Sequence, residues 1–196
     1  MSKIQDDDKL YSFLRPFVDH HTYRSFTHYK IVGRENIPAA GACVFGSNHC
    51  NTLMDALVLL AMSRQKKVFI ARGDIFSNRH TAKILRWLRI LPIYRMRDGI
   101  NSVRDKNSGT IEQAVDVMHD EVPLYLFPEA AHRTKHSLRP LSKGIFHIAL
   151  DANRKFGHEK PVYIVPVGIE YGDYFRFRST VLVNYGKPIN VTEYMQ

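Results

Sequence analysis

From residue 28 onward, short β-branched and aromatic runs alternate with longer stretches of helical period. The runs YKIVG (29–33), ACVFGS (42–47), KVFIA (67–71), LPIYR (91–95), VPLYLF (122–127), PVYIVPVGIE (161–170) and TVLVNYG (180–186) read as strands. Between several of them, residues 53–63, 74–90, roughly 103–120 and 143–156 carry helical spacing. This alternation predicts an α/β fold: a mainly parallel central sheet of about seven strands flanked by helices, with functional groups gathered at strand ends.

The first 27 residues follow a different rule. Leu10, Phe13, Leu14, Phe17 and Val18 fall on one stripe of an N-terminal amphipathic helix. Asp6, Asp7 and Asp8 stand where a helix start favours negative charge, and Pro16 predicts a kink or break. The stripe is expected to pack on its own domain, with a membrane surface as the alternative. In the segment 74–90, Lys83, Arg86 and Arg89 recur at threefold spacing among Ile84, Leu85, Trp87 and Leu88. That pattern suits a basic amphipathic helix on anionic lipid as well as a core helix with a solvated edge. With no repeat, linker or low-complexity tract, residues 1–196 read as a single domain, with a helical segment at 1–27 and an α/β core at 28–196.

Composition narrows the partners. Hydrophobic residues make up 44% and charged residues 24%, ordinary proportions for a chain that folds. A formal net charge of +9 favours anionic partners: nucleic acid, an anionic bilayer or phosphorylated small molecules. Cys43 and Cys50 show no metal-ligand spacing, and the acidic, polar start MSKIQDDDKL is unlike a secretory leader, so a reducing, cytoplasmic setting is expected. No apolar run approaches the roughly 20 residues that span a bilayer, so any membrane contact is expected to be peripheral.

The candidate chemistry starts at GSNHCNTLMDALVLL, residues 46–60, where a strand gives way to a helix. One reading is structural: Thr52 and Asp55 resemble a capping box, or Asn51 or Thr52 serves as a lone cap. The other is catalytic: His49 on the rim of a parallel sheet, with Asp55 folding back to fix its tautomer, makes a general base. No G-x-S-x-G elbow offers a nucleophile, and Cys50 as a partner of His49 is disfavoured because chain neighbours usually point apart. Other strand ends carry Arg95 with Arg97, suited to gripping phosphate, and Glu129 ahead of a loop with His132, Arg133, Lys135, Arg139 and Lys143. Each of these also has a plain structural reading. Pro166 inside an apolar run predicts a strand edge, end or bulge. His132 and His136 are a weak basis for a metal site, and none is expected.

In order, NHCNTLMD, LPIYR, LFPEAAH with LRPLSKG, IVPVGI and VLVNYGKPI resemble the phospholipid/glycerol acyltransferase family over about residues 30–190. The resemblance implies His49 as catalytic base and Asp55 as its orienting partner. It also implies that Arg95 and Glu129 bind the glycerol phosphate, with His132 or Arg133 assisting, and that Pro166 belongs to a fourth block. Backbone donors to an oxyanion are expected near Gly144 or the Pro166 strand. The implied reaction moves a fatty acyl group from acyl-CoA or acyl carrier protein to the free hydroxyl of lysophosphatidate or a related glycerolipid, with glycerol 3-phosphate or another lysolipid as the alternative acceptor. It takes place at the inner, anionic membrane surface, and needs no metal, other cofactor or nucleic acid.

Three departures stand out. Five residues rather than the usual four separate His49 from Asp55, Ala130 replaces a glycine, and His132 stands where an arginine is expected. A hydrolase using the same His49 and Asp55, and a nucleic-acid-binding module driven by charge, are the rival expectations. Arginines dispersed over strand ends argue against the latter.

Overall fold

The computed structural model describes residues 3–94, 103–129, 137–157 and 159–195, with side chains of 103–106 left aside. Its strands are β1 (Phe26–Val32), β2 (Ala42–Ser47), β3 (Val68–Arg72), β4 (Ile90–Ile93), β5 (Leu124–Leu126), β6 (Val162–Tyr171), β7 (Ser179–Tyr185) and β8 (Ile189–Asn190). The helices are α1 (Lys9–Arg24), α2 (Thr52–Ala61), α3 (Arg79–Trp87), α4 (Val103–His119), α5 (Gly144–Phe156) and α6 (Val191–Tyr194). Every expected strand is present, and the two-residue β8 is added to them.

One sheet runs in the order β1-β7-β6-β2-β5-β3-β4, with β8 pairing β6. From β6 to β4 every pair is parallel, while β7 and β8 run antiparallel to β6. The sheet is covered on both faces, as the continuous apolar strands require. Val44, Val68 and Leu91 meet Val117 and Ile148 of α4 and α5 on one face; Phe45, Phe69 and Tyr125 meet Val58 and Leu59 of α2 on the other. Parallel strands β2, β4 and β5 therefore end along one rim, where the connections to α2, α4 and α5 begin.

Four local expectations are corrected. The segment 74–90 is not one helix: a short 3-10 turn at Gly73–Phe76 precedes α3, and Asn78 caps α3 through its side chain. Arg89 leaves the helix at φ 62, is buried, stacks its guanidinium over Tyr11 and donates to the Asp6 carbonyl, so it faces the protein rather than lipid. Pro16 neither breaks nor ends α1, since it and Ser12, the residue whose carbonyl it cannot serve, both lie on the solvent side. Nor does Pro166 form an end or bulge. It lies inside β6, paired with Gly46 on one side and at the step between the β8 and β7 ladders on the other.

The orientation of α1 is the largest correction. Asp8 caps it as its acidic start suggests, accepting from the Tyr11 N–H at 2.7 Å. Its buried residues, however, are Tyr11, Arg15 and Thr22, and the stripe of Leu10, Phe13, Leu14, Phe17 and Val18 faces outward. The cause is Arg15. Its guanidinium reaches the carbonyls of Leu60 and Ser63 at the C-terminal end of α2 and pairs with Asp19 at 2.7 Å, turning the helix by its polar face.

Candidate active site

β2 ends at Ser47, and the next two residues are held by its neighbours. Asn48 clamps β6 with its whole amide: Nδ2 donates to the Ile169 carbonyl at 2.8 Å and Oδ1 accepts the Ile169 N–H at 2.6 Å. His49 follows, its N–H donating to Glu129 Oε1 at 3.1 Å and its ring stacked on Phe127 with centroids 4.2 Å apart. The chain then enters α2 through Thr52 at φ 46, a left-handed conformation that is unusual for a β-branched residue. Such strain is maintained only where surrounding bonds over-determine the turn.

Asp55 supplies those bonds. Fully buried, its Oδ2 accepts from the Asn51 N–H at 2.7 Å and from His49 Nδ1 at 2.9 Å, while Oδ1 accepts from the Tyr171 hydroxyl at 2.8 Å. One carboxylate thus both holds the start of α2 and bonds the His49 ring. The expected Thr52 capping box does not form, and Asn51 caps α2 by position, without a capping bond from its side chain. With the Nδ1 proton held by Asp55, Nε2 is the basic nitrogen of the ring.

Glu129 is buried just after β5. Its second oxygen accepts the Arg139 N–H at 3.0 Å, so both oxygens engage backbone donors, tying His49 to the segment after residue 137. His49, Glu129, Leu138, Gly168, Ile169 and Tyr174 are among the residues lining a cavity of about 360 Å³. Neither Gly144, the first residue of α5, nor Pro166 lines it. Arg95, His132 and Arg133 lie outside the described residues, as do Arg97, Ala130 and His136. The described chain stops beside Arg95, at Tyr94, whose backbone N–H and carbonyl are both bonded by the Asn107 side chain of α4 at 2.8 Å. A separate cavity of about 210 Å³ lies near the start of β2, lined by Arg34, Cys43 and Tyr125 among others, and does not include His49.

Burial sets the protonation of the groups around Asp55. Burial, reinforced by the Asp55 carboxylate, pushes the Cys50 thiol up to about 12, so a Cys50 thiolate is not available as a nucleophile at neutral pH. Burial first, and Asp55 second, raise the Tyr171 hydroxyl far above its ordinary range, keeping it a donor. Among the described residues no His, Cys, Asp and Glu cluster could hold a metal ion. Tyr171 and Asn48 are not singled out by sequence. Tyr171 closes the long strand next to β2, and that rim position is the available signal for it.

The Acyltransferase family model matches residues 28–170. A glycerol-3-phosphate O-acyltransferase 2 of Saccharomyces cerevisiae is 33% identical over 85 residues, which is 43% of this chain but 11% of that protein's length. The crystal structure of the 1-acyl-sn-glycerophosphate (LPA) acyltransferase PlsC from Thermotoga maritima superposes with a TM-score of 0.60 at 18% identity, covering 95% of this chain and 73% of that one. That likeness is one of fold.

Proposed function

The chain belongs to the acyltransferase family, and from that premise we propose that it moves a fatty acyl group from acyl-CoA or acyl carrier protein to the free hydroxyl of lysophosphatidate or a related glycerolipid. Glycerol 3-phosphate and other lysolipids are the alternative acceptors. The observation that carries the proposal is His49 on the wall of the rim cavity with the buried Asp55 carboxylate 2.9 Å from its Nδ1.

In this scheme Nε2 of His49 takes the acceptor hydroxyl proton as the oxygen attacks the thioester carbonyl. The tetrahedral intermediate collapses to the new ester, and the imidazolium returns the proton to the departing thiolate. General base catalysis of this kind contributes about 10²–10⁴-fold, and the buried Asp55 charge stabilises the imidazolium that forms. Arg95 with Arg133 or His132 grips the acceptor phosphate, and Glu129 positions the His49 backbone that the reaction depends on. The scheme calls for no metal or other cofactor.

A lipid acceptor places the enzyme at a membrane, on the cytoplasmic face. The outward apolar stripe of α1 supports peripheral attachment, and no helix among the described residues is long and apolar enough to cross a bilayer. The test is CoA release from acyl-CoA in the presence of glycerol 3-phosphate, lysophosphatidate and other lysolipids in turn. Release in proportion to one acceptor supports the proposal. Equal release with and without any acceptor would make the protein a thioesterase.

A further inference from the structure

The hairpin that joins β6 to β7, Gly172 to Arg178, carries the sequence Tyr174, Phe175, Arg176, Phe177, Arg178. Phe175 is 87% and Phe177 71% exposed, more than almost any other large apolar side chain among the described residues, and Arg176 and Arg178 are exposed between and after them. This tip is ordered by its own chemistry: Asp173 Oδ1 accepts the N–H groups of Phe175 at 2.8 Å and Arg176 at 3.2 Å, which turns that carboxylate to the backbone.

Two connections give the tip a direction. Tyr174 lines the His49 cavity, and its carbonyl accepts from the Asn51 side chain at 3.4 Å, so the base of the hairpin forms part of the catalytic mouth. On its other side the Arg178 N–H donates to the Ser25 carbonyl at 2.9 Å, and the Thr27 hydroxyl donates to the Arg178 carbonyl. The hairpin is thereby fastened to the end of α1, the helix whose apolar stripe faces outward, close to the exposed Arg24.

We propose that this hairpin is a membrane-inserting prong: Phe175 and Phe177 enter the interface of an anionic bilayer, Arg176 and Arg178 pair with its headgroups, and the catalytic mouth is thereby held against the lipid surface. Rigid aromatic rings flanked by guanidinium groups are the side chains that interfaces accept, since the rings bury while the charges stay at headgroup level. An aqueous surface gives no return for exposing two phenylalanines in a fixed turn. The orientation of the mouth rests on the acyltransferase reading; the insertion itself does not.

The direct test is co-sedimentation with vesicles of phosphatidylcholine containing phosphatidylglycerol, comparing the wild type with the F175S/F177S double variant. Because both rings are exposed, the variant should unfold at the wild-type temperature while its affinity for the vesicles falls at least tenfold. A second chain, F175W in a W87F background, reports insertion directly: its emission should shift to the blue on these vesicles and be quenched by brominated lipid. Wild-type chain that ignores the vesicles, undiminished binding by F175S/F177S, or an unmoved indole emission from the F175W chain would each overturn the proposal. So would a double variant that binds vesicles normally but loses binding to acyl carrier protein, which would make the tip a protein-docking site. Vesicle binding needs no turnover, so a chain that inserts its prong yet transfers no acyl group would refute the enzymatic reading and leave this one standing.

Discussion

Replacing Glu129 with glutamine separates two roles for the carboxylate: ligand of the acceptor or clamp on the backbone. Both of its oxygens accept backbone N–H groups, from His49 at 3.1 Å and Arg139 at 3.0 Å, in a buried setting. Glutamine keeps one acceptor and turns an NH₂ toward the other donor, so one bond to a charged group is lost, about 1.5–3 kcal/mol. At about 2–4 °C per kcal/mol for a chain of this size, the unfolding midpoint should drop by about 3–12 °C. The His49 backbone is then free to drift, and a misplacement of about 1 Å can cost about 10²-fold in rate. The expected kinetic pattern in an acyl-CoA assay is a large fall in kcat with little change in the KM for the acceptor. An intact unfolding midpoint and kcat with a strongly raised acceptor KM would refute the clamp and make Glu129 a direct ligand.

Tyr171→Phe keeps the buried ring but removes the hydroxyl that donates to Asp55 at 2.8 Å. About one charged hydrogen bond of orientation is lost, so kcat should fall about tenfold with acceptor KM unchanged; an unaltered kcat would detach Tyr171 from the proposed role of His49 and Asp55. Lys67, 1% exposed, is lowered from its ordinary 10.5 to about 7 by burial first and the Arg15 charge second, although its ammonium donates to the Leu60 and Ser63 carbonyls. Above about pH 7 the unfolded chain therefore holds a proton that the fold has released, and stability attributable to this residue rises with pH. The useful window closes near pH 9, where Cys43 and Cys50, raised from 9.0 to about 11 and about 12, begin to favour the unfolded chain. Urea midpoints at pH 7, 8 and 9 should climb more steeply for the wild type than for Lys67→Met, and parallel slopes would contradict the buried-lysine account.

What the sequence conveys follows the range of the forces involved. Periodicity is local, so the seven strands are legible from β-branched runs, and the His49 to Asp55 spacing is legible because a strand end and a first helical turn bring those two residues together. Tyr171 reaches Asp55 from 116 residues away, a contact set by β6 lying beside β2 and invisible to any local pattern. The outward stripe of α1 defies its pattern for a related reason: apolar spacing identifies a face, but the long-range attraction of Arg15 for the carbonyls ending α2 decides which face turns inward. Arg89 shows the same limit, since its threefold spacing with Lys83 and Arg86 looks like a basic stripe until the helix ends and Tyr11 captures the guanidinium. Pro166 reads as a strand breaker because sequence cannot show that β6 changes partners at that residue.

In the proposed reaction the imidazole of His49, fixed by Asp55, draws the proton from the acceptor hydroxyl. The decisive assay is acceptor-dependent CoA release by purified His49→Ala compared with wild type, at saturating acyl-CoA and with equal unfolding midpoints verified. Loss of a general base should lower kcat about 10²–10⁴-fold, with acceptor binding preserved. Turnover by His49→Ala within a few-fold of wild type would contradict it.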